Sequence, residues 1–227
     1  MGEISGFNRL NAEKLRLTIQ QTAESVGQNI ADEITRGIIT PMADAWYAED
    51  AVTFFGKFKD TVNQQAEQIK ESFNTFKNNI ESTTNSWSEF TGAESVSMPD
   101  IDAPAEIKID ISSIQPKNGN GDRALDEDKV EAVITSNIPS TEEAIKSQLA
   151  TLAQNLDAET SFLGHGQGAA VQSCFTEVVN AVHKIFESLL TGDESLKTAL
   201  DDYKSKYVEA AEKVANSYNN ADTGTGA

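Results

Sequence analysis

Apolar residues recur at every third or fourth position in the first part of the chain, and polar residues fill the positions between them. This spacing places the apolar side chains on one face of a helix. It predicts a first amphipathic helix over about residues 10–38, which ends near Gly37 and Pro41 because proline cannot continue the helical hydrogen-bond pattern. The apolar positions of this helix are Leu15, Ile19, Ala23, Val26, Ile30 and Ile34.

A second apolar stripe begins at Phe54 and continues as far as Trp87. From Val62 onward its steps alternate between four and three residues, which is the heptad spacing of a helix that packs along another helix. Two long helices joined by a short turn form a helical hairpin, so residues 1–91 are predicted to be one hairpin. The predicted packing seam of the second helix consists of Phe58, Val62, Ile69, Phe73, Phe76 and Ile80.

Residues 92–139 differ from their neighbours, because prolines and an Asn/Gly-rich run at 118–121 interrupt the helical period. Within this linker Ile107, Ile109 and Ile111 alternate with polar residues, which is the pattern of a half-buried strand. One short strand is not stable alone, so this one either pairs with a neighbouring segment or lies along the helices as a small insertion. A short helix is expected over 126–135.

The hairpin pattern then repeats over residues 140–218. Ser140 or Thr141 resembles a helix start, a glycine-rich run at 164–168 interrupts the stripe that follows, and Asp193 is placed to cap a final helix. The third helix carries Ile145, Leu149, Leu152 and Leu156, and the second predicted seam consists of Phe175, Val178, Val182, Ile185 and Leu189. Residues 219–227 are expected to be a disordered tail.

These patterns together predict an all-α fold. The two tandem helical hairpins form a four-helix-type bundle within one chain, and a small irregular or β insertion lies between them.

Both hairpin turns carry an aromatic residue followed two places later by a small one: Trp46 with Ala48, and Phe162 with Gly164. The small residue lets the turn close, and the aromatic ring can lie between the two helices. On these motifs the sequence resembles the WXG family of helical-hairpin proteins exported by type VII secretion, as a tandem fusion of two units. The resemblance covers about two thirds of the chain. It departs from the family where Ala48 replaces glycine and Phe162 replaces tryptophan.

The resemblance implies antiparallel four-helix assembly and an export signal of the form Tyr-x-x-x-Asp/Glu, which Tyr218 and Asp222 match. Four residues on a helix place the tyrosine ring and the carboxylate on one face, where a receptor could recognise both. The implied partners are helical proteins, including a co-secreted effector, and the type VII secretion ATPase. Self-association is also open. The chain would be made in the cytoplasm and exported to the cell surface or the medium as a substrate, chaperone or targeting adaptor.

The charge balance changes the choice of partners. Thirty-six acidic residues against eighteen basic ones give a net charge of −18, which would repel nucleic acid and anionic lipid surfaces. Residues 1–10 lack the basic start and apolar run of a secretory signal, and no window approaches the roughly eighteen apolar residues of a membrane span. A helical structural subunit of a phage or other large assembly remains the alternative, and a toxin of unrecognised chemistry is a third.

Candidate chemistry in the sequence is sparse. His165 lies in a glycine-rich turn without the strand and Gly-Lys-Ser/Thr of a phosphate loop, and His183 lacks a second ligand at helical spacing. The segment 118–129 resembles a calcium loop, but Arg123 and Lys129 occupy its essential glycine and glutamate positions. Cys174 lies in an apolar stripe and is expected to be a small buried residue. We therefore predict a non-enzymatic protein without cofactor, metal or catalytic residues.

Overall fold

The computed structural model describes residues 9–116, 124–160 and 168–222, and within these the side chains of 14–116, 124–154 and 173–217. The helices are α1 (Arg9–Ile34), α2 (Thr40–Ala43), α3 (Glu49–Thr91), α4 (Glu127–Ala132), α5 (Ile138–Thr160), α6 (Gly168–Thr191) and α7 (Leu196–Asp222). Strands β1 (Trp46–Tyr47) and β2 (Ala124–Leu125) form a two-stranded antiparallel ladder. The all-α prediction is confirmed.

The first helix continues beyond the end that Gly37 and Pro41 predicted. A π-helical turn, Thr35–Ile39, joins α1 directly to α2, and the Thr40 N–H donates to the Thr35 carbonyl. Pro41 has no N–H, so the Gly37 carbonyl loses its ordinary helical donor. The Asn137 side chain supplies one instead, with its Nδ2 3.1 Å from the Gly37 oxygen. Pro41 therefore changes the helical register without ending the helix.

The second half of the chain uses the same device. A second π-helical turn, Val133–Asn137, joins α4 to α5 just before Pro139. The continuous helix begins after Asp126, whose carboxylate accepts the Lys129 N–H at 3.2 Å as an N-cap. The predicted start at Ser140 or Thr141 therefore falls inside a helix, and the predicted short helix at 126–135 is its first part.

The two π-helical turns meet where α1 crosses α5. A Cβ atom added to Gly37 would lie 2.1 Å from the Thr141 Oγ1, so only glycine permits this approach. Glu33 lies one turn before Gly37 and accepts from Gln148 Nε2 at 2.5 Å. The later residue of α1 and its extension, Gly37, contacts the earlier residue Thr141, whereas the earlier residue Glu33 contacts the later residue Gln148. The two helices are therefore antiparallel.

Helices α1, α3, α6 and α5 form a four-helix bundle in which each helix packs against two neighbours. The link between α3 and α6 includes Phe73 and Phe76, whose rings lie 6.2 and 5.2 Å from that of Phe175. The turn between α2 and α3 lies at one end of the bundle, and the facing ends of α5 and α6 lie at the other. The two hairpins are therefore antiparallel, and α7 follows at the end that holds the first turn.

Antiparallel hairpins place the end of α3 and the start of α4 at opposite ends of the bundle. Residues 93–116, which we call the strap, span this distance as an extended chain in the groove between α1 and α3. An extended chain covers about 3.3 Å per residue against about 1.5 Å for a helix, so the short strap can return along the longer α3. Ile107 and Ile109 are buried. Of the two arrangements predicted for this segment, the structure has the second: the strap lies along the helices as an insertion.

Candidate functional site

The first hairpin turn surrounds a fully buried tryptophan. Trp46 lies on β1, and its ring centroid is 5.4 Å from that of Phe54 and 6.1 Å from that of Phe55, both on α3. Ala48 is also buried and forms the N-cap of α3 with φ −147° and ψ 157°. Any residue adopts this extended conformation, so the alanine needs none of the conformational freedom of the glycine that it replaces in the WXG pattern.

Helix α7 covers the outer side of Trp46, a contact that the sequence analysis did not identify. The Tyr203 ring lies 4.7 Å from the indole and the Tyr207 ring 6.3 Å. The Tyr207 hydroxyl donates to the Asp50 carboxylate at 3.2 Å. Tyr203 and Tyr207 are four residues apart and therefore share one face of α7, but nothing in the sequence indicates that this face contacts Trp46. The Trp46 ring is therefore enclosed between α3 and α7.

The two predicted seams lie in the bundle interior with one difference between them. Most of their members are buried: Phe58, Val62, Ile69, Phe73, Phe76, Ile80, Phe175, Val178 and Val182. Ile185 and Leu189 are only partly buried, and the neighbouring Phe186 and Leu190 are fully enclosed. An α-helix has 3.6 residues per turn, so a buried face departs from strict heptad spacing after a few turns. The α6 seam therefore changes to steps of four residues beyond Val182.

Helix α7 is anchored at its start and exposed further along. Leu196 and Leu200 are buried, and the Lys204 ammonium pairs with the Glu131 carboxylate on α4. This hydrogen bond raises the pKa of Lys204, because it stabilises the charged ammonium. Residues 209–217 are all exposed, including Val214 with 56% of its surface accessible. We call residues 196–207 the anchored half and residues 209–217 the exposed half of α7.

An open apolar cleft of about 740 Å³ runs along both halves of α7. Small residues on the helix surface let another helix approach closely, and the tyrosine rings add apolar area. Asp50 and Lys206 provide a charge of each sign at its edge. The cleft is lined by Asp50, Tyr203, Lys206, Tyr207, Ala210, Ala211, Val214 and Ala215. Its small residues and tyrosine rings make this cleft suited to bind a helical partner.

The other predicted motif residues lie at the edge of what the structure describes. Phe162 and Gly164, the second turn motif, lie outside the described residues. Tyr218 and Asp222 belong to α7, which places them four residues apart on one helix, but their side chains lie outside the described set. His165 also lies outside the described residues.

Cys174 and His183 each lie beside a polar side chain from another helix. Cys174 Sγ accepts from Asn79 Nδ2 at 3.1 Å, and His183 Nε2 lies 3.7 Å from a Glu142 carboxylate oxygen. In the part of the chain that the structure describes, no three His, Cys, Asp or Glu side chains converge as a metal site would require. Within the same residues, no helix is both long and apolar enough to cross a bilayer.

No protein-family model, curated protein or solved structure matches this chain. Membership of the WXG family therefore stays a prediction.

Proposed function

We propose that this chain is a non-enzymatic, helical partner-binding protein of the type VII secretion kind. It acts as an exported substrate, or as a chaperone or targeting adaptor exported with an effector. The observation that carries the proposal is the antiparallel packing of two hairpins in one chain. The WXG resemblance implies this arrangement for two separate subunits, and here the strap joins them covalently.

The exposed half of α7 supports the binding role. Apolar residues that stay exposed on one face of a helix usually mark a surface that a partner protein covers. The bundle buries most of both seams internally, so the exposed half of α7 contributes apolar surface that folding of the described chain does not use. The proposed partner is a helix that lies in the cleft beside Ala210, Ala211 and Val214.

The proposed export signal follows the exposed half directly. Tyr218 and Asp222 continue the same helix, so a receptor could bind the cleft and the signal together. A tyrosine ring offers stacking area and a carboxylate offers a charge-assisted hydrogen bond.

Secretion in the native host tests the export part of this proposal. The protein is measured in the culture medium and in the cells for the wild type, Tyr218→Ala and Asp222→Asn. A matched control, Glu212→Gln, neutralises an exposed carboxylate on the same helix. We expect both signal variants to reduce the secreted fraction while Glu212→Gln leaves it unchanged. Circular dichroism should show equal helix content in all four proteins.

The outcomes separate the alternatives. Wild-type protein confined to the cells would overturn export and favour an intracellular structural subunit. Normal export of both signal variants would leave export standing and remove Tyr218 and Asp222 as its signal.

A further inference from the structure

The strap is held by a regular row of asparagines on α3. Asn63, Asn74 and Asn85 are spaced by 11 residues, which is about three helical turns and places all three on one face of the helix. We call them the asparagine row. Each side-chain amide bonds the main chain of the strap, as an amide with one acceptor and two donors can.

The bonds pair successive asparagines with successive segments of the strap. Eleven helical residues rise about 16 Å, which an extended chain covers in about five residues. The strap residues that are bonded lie five and six positions apart, so the two repeats match. Asn85 accepts the Val96 N–H at 2.6 Å and donates to the Val96 carbonyl at 2.9 Å. Asn74 likewise accepts the Ile101 N–H and donates to the Ile101 carbonyl, both at 2.8 Å. Asn63 accepts the Ile107 N–H at 2.9 Å.

Helix α1 holds the other edge of the strap in the same way. Arg16 donates to the Pro99 and Asp100 carbonyls, and other side chains accept strap N–H groups: Gln20 Oε1 from Asp102 at 3.1 Å and Thr35 Oγ1 from Asp110 at 3.0 Å. Gly27 makes room for the strap, since a Cβ atom there would lie 2.7 Å from Pro104 Cβ. Main-chain groups are common to all residues, so these bonds select an extended conformation rather than a sequence.

Sequence preference enters through two other features of the groove. The first is a set of apolar positions whose side chains are buried: Val96, Met98, Ile101, Ala103, Ile107 and Ile109. The second is Lys77, a buried lysine whose Nζ lies 3.0 Å from the Asp100 carboxylate and 3.2 Å from the Met98 carbonyl. The groove therefore favours an extended segment with the order apolar, any residue, acidic, apolar, as in residues 98–101.

We propose that the groove between α1 and α3 is a binding site for extended polypeptide, occupied in the free chain by its own strap. Its other ligand is an extended segment of a partner protein with the same pattern of apolar residues and an acidic residue opposite Lys77. The covalently attached strap has a high effective concentration, so a partner segment binds only when the strap is displaced or weakened. This site is separate from the α7 cleft and does not depend on export.

Peptide binding to the full-length chain tests this site. The probe is a fluorescently labelled synthetic peptide of residues 95–111, measured by fluorescence anisotropy. The groove is opened in a full-length chain by Ile101→Asp with Ile107→Asp, which place charges at two buried strap positions. We expect this opened chain to bind the peptide and to reject the same peptide carrying Ile101→Asp.

The asparagine row supplies the decisive comparison. Adding Asn74→Ala to the opened chain removes two main-chain hydrogen bonds and should weaken peptide binding by about tenfold or more. The matched control is Asn78→Ala, because Asn78 is an exposed asparagine on the same helix. It should leave the affinity unchanged. A peptide with Asp100→Asn should also bind more weakly, since Lys77 loses the nearer of its two carboxylate partners and keeps only Glu81 at 3.6 Å.

An opened chain that keeps its helical circular dichroism but does not bind the peptide would overturn the proposal. Equal affinity with and without Asn74→Ala would overturn it as well. If the doubly substituted chain loses its helical signal, Ile101→Ala opens the groove without adding charge, and the same ranking of peptides and variants must then be found with it.

Discussion

The two halves of helix α7 differ in what covers them, although one helix carries both. In the anchored half, Leu200 is fully buried and the Tyr203 ring packs against Trp46 at a tilt of 49°. In the exposed half every side chain is accessible, and its apolar residues line an open cleft. The anchored half is explained by folding alone, whereas the exposed half has no role within the described bundle. The difference indicates that the first half stabilises the chain and the second is available to a partner.

The largest expected effect is at the residue on which the anchored half packs. Trp46→Ala should lower the free energy of unfolding by about 3 to 5 kcal/mol, because a fully buried aromatic leaves a cavity. Phe90→Ala is the matched control, since 85% of the surface of that residue is accessible. It should change stability by less than about 0.5 kcal/mol. Urea unfolding followed by circular dichroism measures both, and equal effects would contradict the burial difference.

A pair of substitutions within α7 compares its halves directly. Leu200→Ala should cost about 2 to 5 kcal/mol of unfolding free energy because Leu200 is fully enclosed. Val214→Ala should cost less than about 0.5 kcal/mol in the isolated chain. Thermal melting distinguishes them. A comparable loss from Val214→Ala would show that the exposed half packs on the chain's own bundle.

A smaller effect is expected where the two halves meet. Tyr207→Phe removes the hydrogen bond from the hydroxyl to the Asp50 carboxylate and keeps the ring. The cost should be about 1 kcal/mol, since the side chain is only partly buried. Hydrogen exchange should accelerate in residues 203–208 and stay unchanged in α3 beyond its first turn. Unchanged exchange around Tyr207 would show that this bond does not hold the helix.

The smallest effect concerns the cap of α4, the helix that Lys204 contacts. The Lys129 N–H bonded to Asp126 holds the pKa of this carboxyl below its usual range. A lowered folded-state pKa gives stability that is present above the unfolded pKa of about 3.9 and is lost as pH falls through the folded value. The difference in melting temperature between wild type and Asp126→Ala should therefore be present at pH 7 and shrink below about pH 4.

Asp126→Asn is the control for this pH dependence, because asparagine also caps helices and does not titrate. Its melting-temperature difference from Asp126→Ala should persist at low pH. If the melting temperatures of wild type and Asp126→Ala differ as much below about pH 4 as at pH 7, the titration of the Asp126 cap is contradicted.

Much of the bundle follows from periodicity alone. Residues such as Ile19, Ile69 and Phe76 lie inside because a stripe at three- and four-residue steps has one face to bury, and that face is set by local sequence. The continuation of the helices through Pro41 and Pro139 cannot be predicted from periodicity. Whether a proline ends a helix depends on whether another group donates to the carbonyl that the missing proline N–H leaves without a bond. Here Asn137 donates to the Gly37 carbonyl from one hundred residues away.

The candidate sites were less accessible to sequence reasoning for a related reason. Trp46 was recognisable as a turn aromatic, but its enclosure by Tyr203 is a contact between distant segments that no local pattern encodes. The asparagine row could have been found, since Asn63, Asn74 and Asn85 repeat at 11 residues on an otherwise amphipathic helix. The groups to which these asparagines bond are known only from the structure, which places the strap beside α3.

The central claim is that the bundle folds alone and the exposed half of α7 binds a helical partner. Size-exclusion chromatography with light scattering tests this most directly, on the chain with its neighbouring gene products and on Val214→Glu treated identically. We predict that the wild type forms a complex heavier than the 24.6 kDa chain. Val214→Glu should elute without a partner, and its melting temperature should equal that of the wild type. Complexes of equal mass and affinity for both proteins, or wild type that forms none, would contradict the claim.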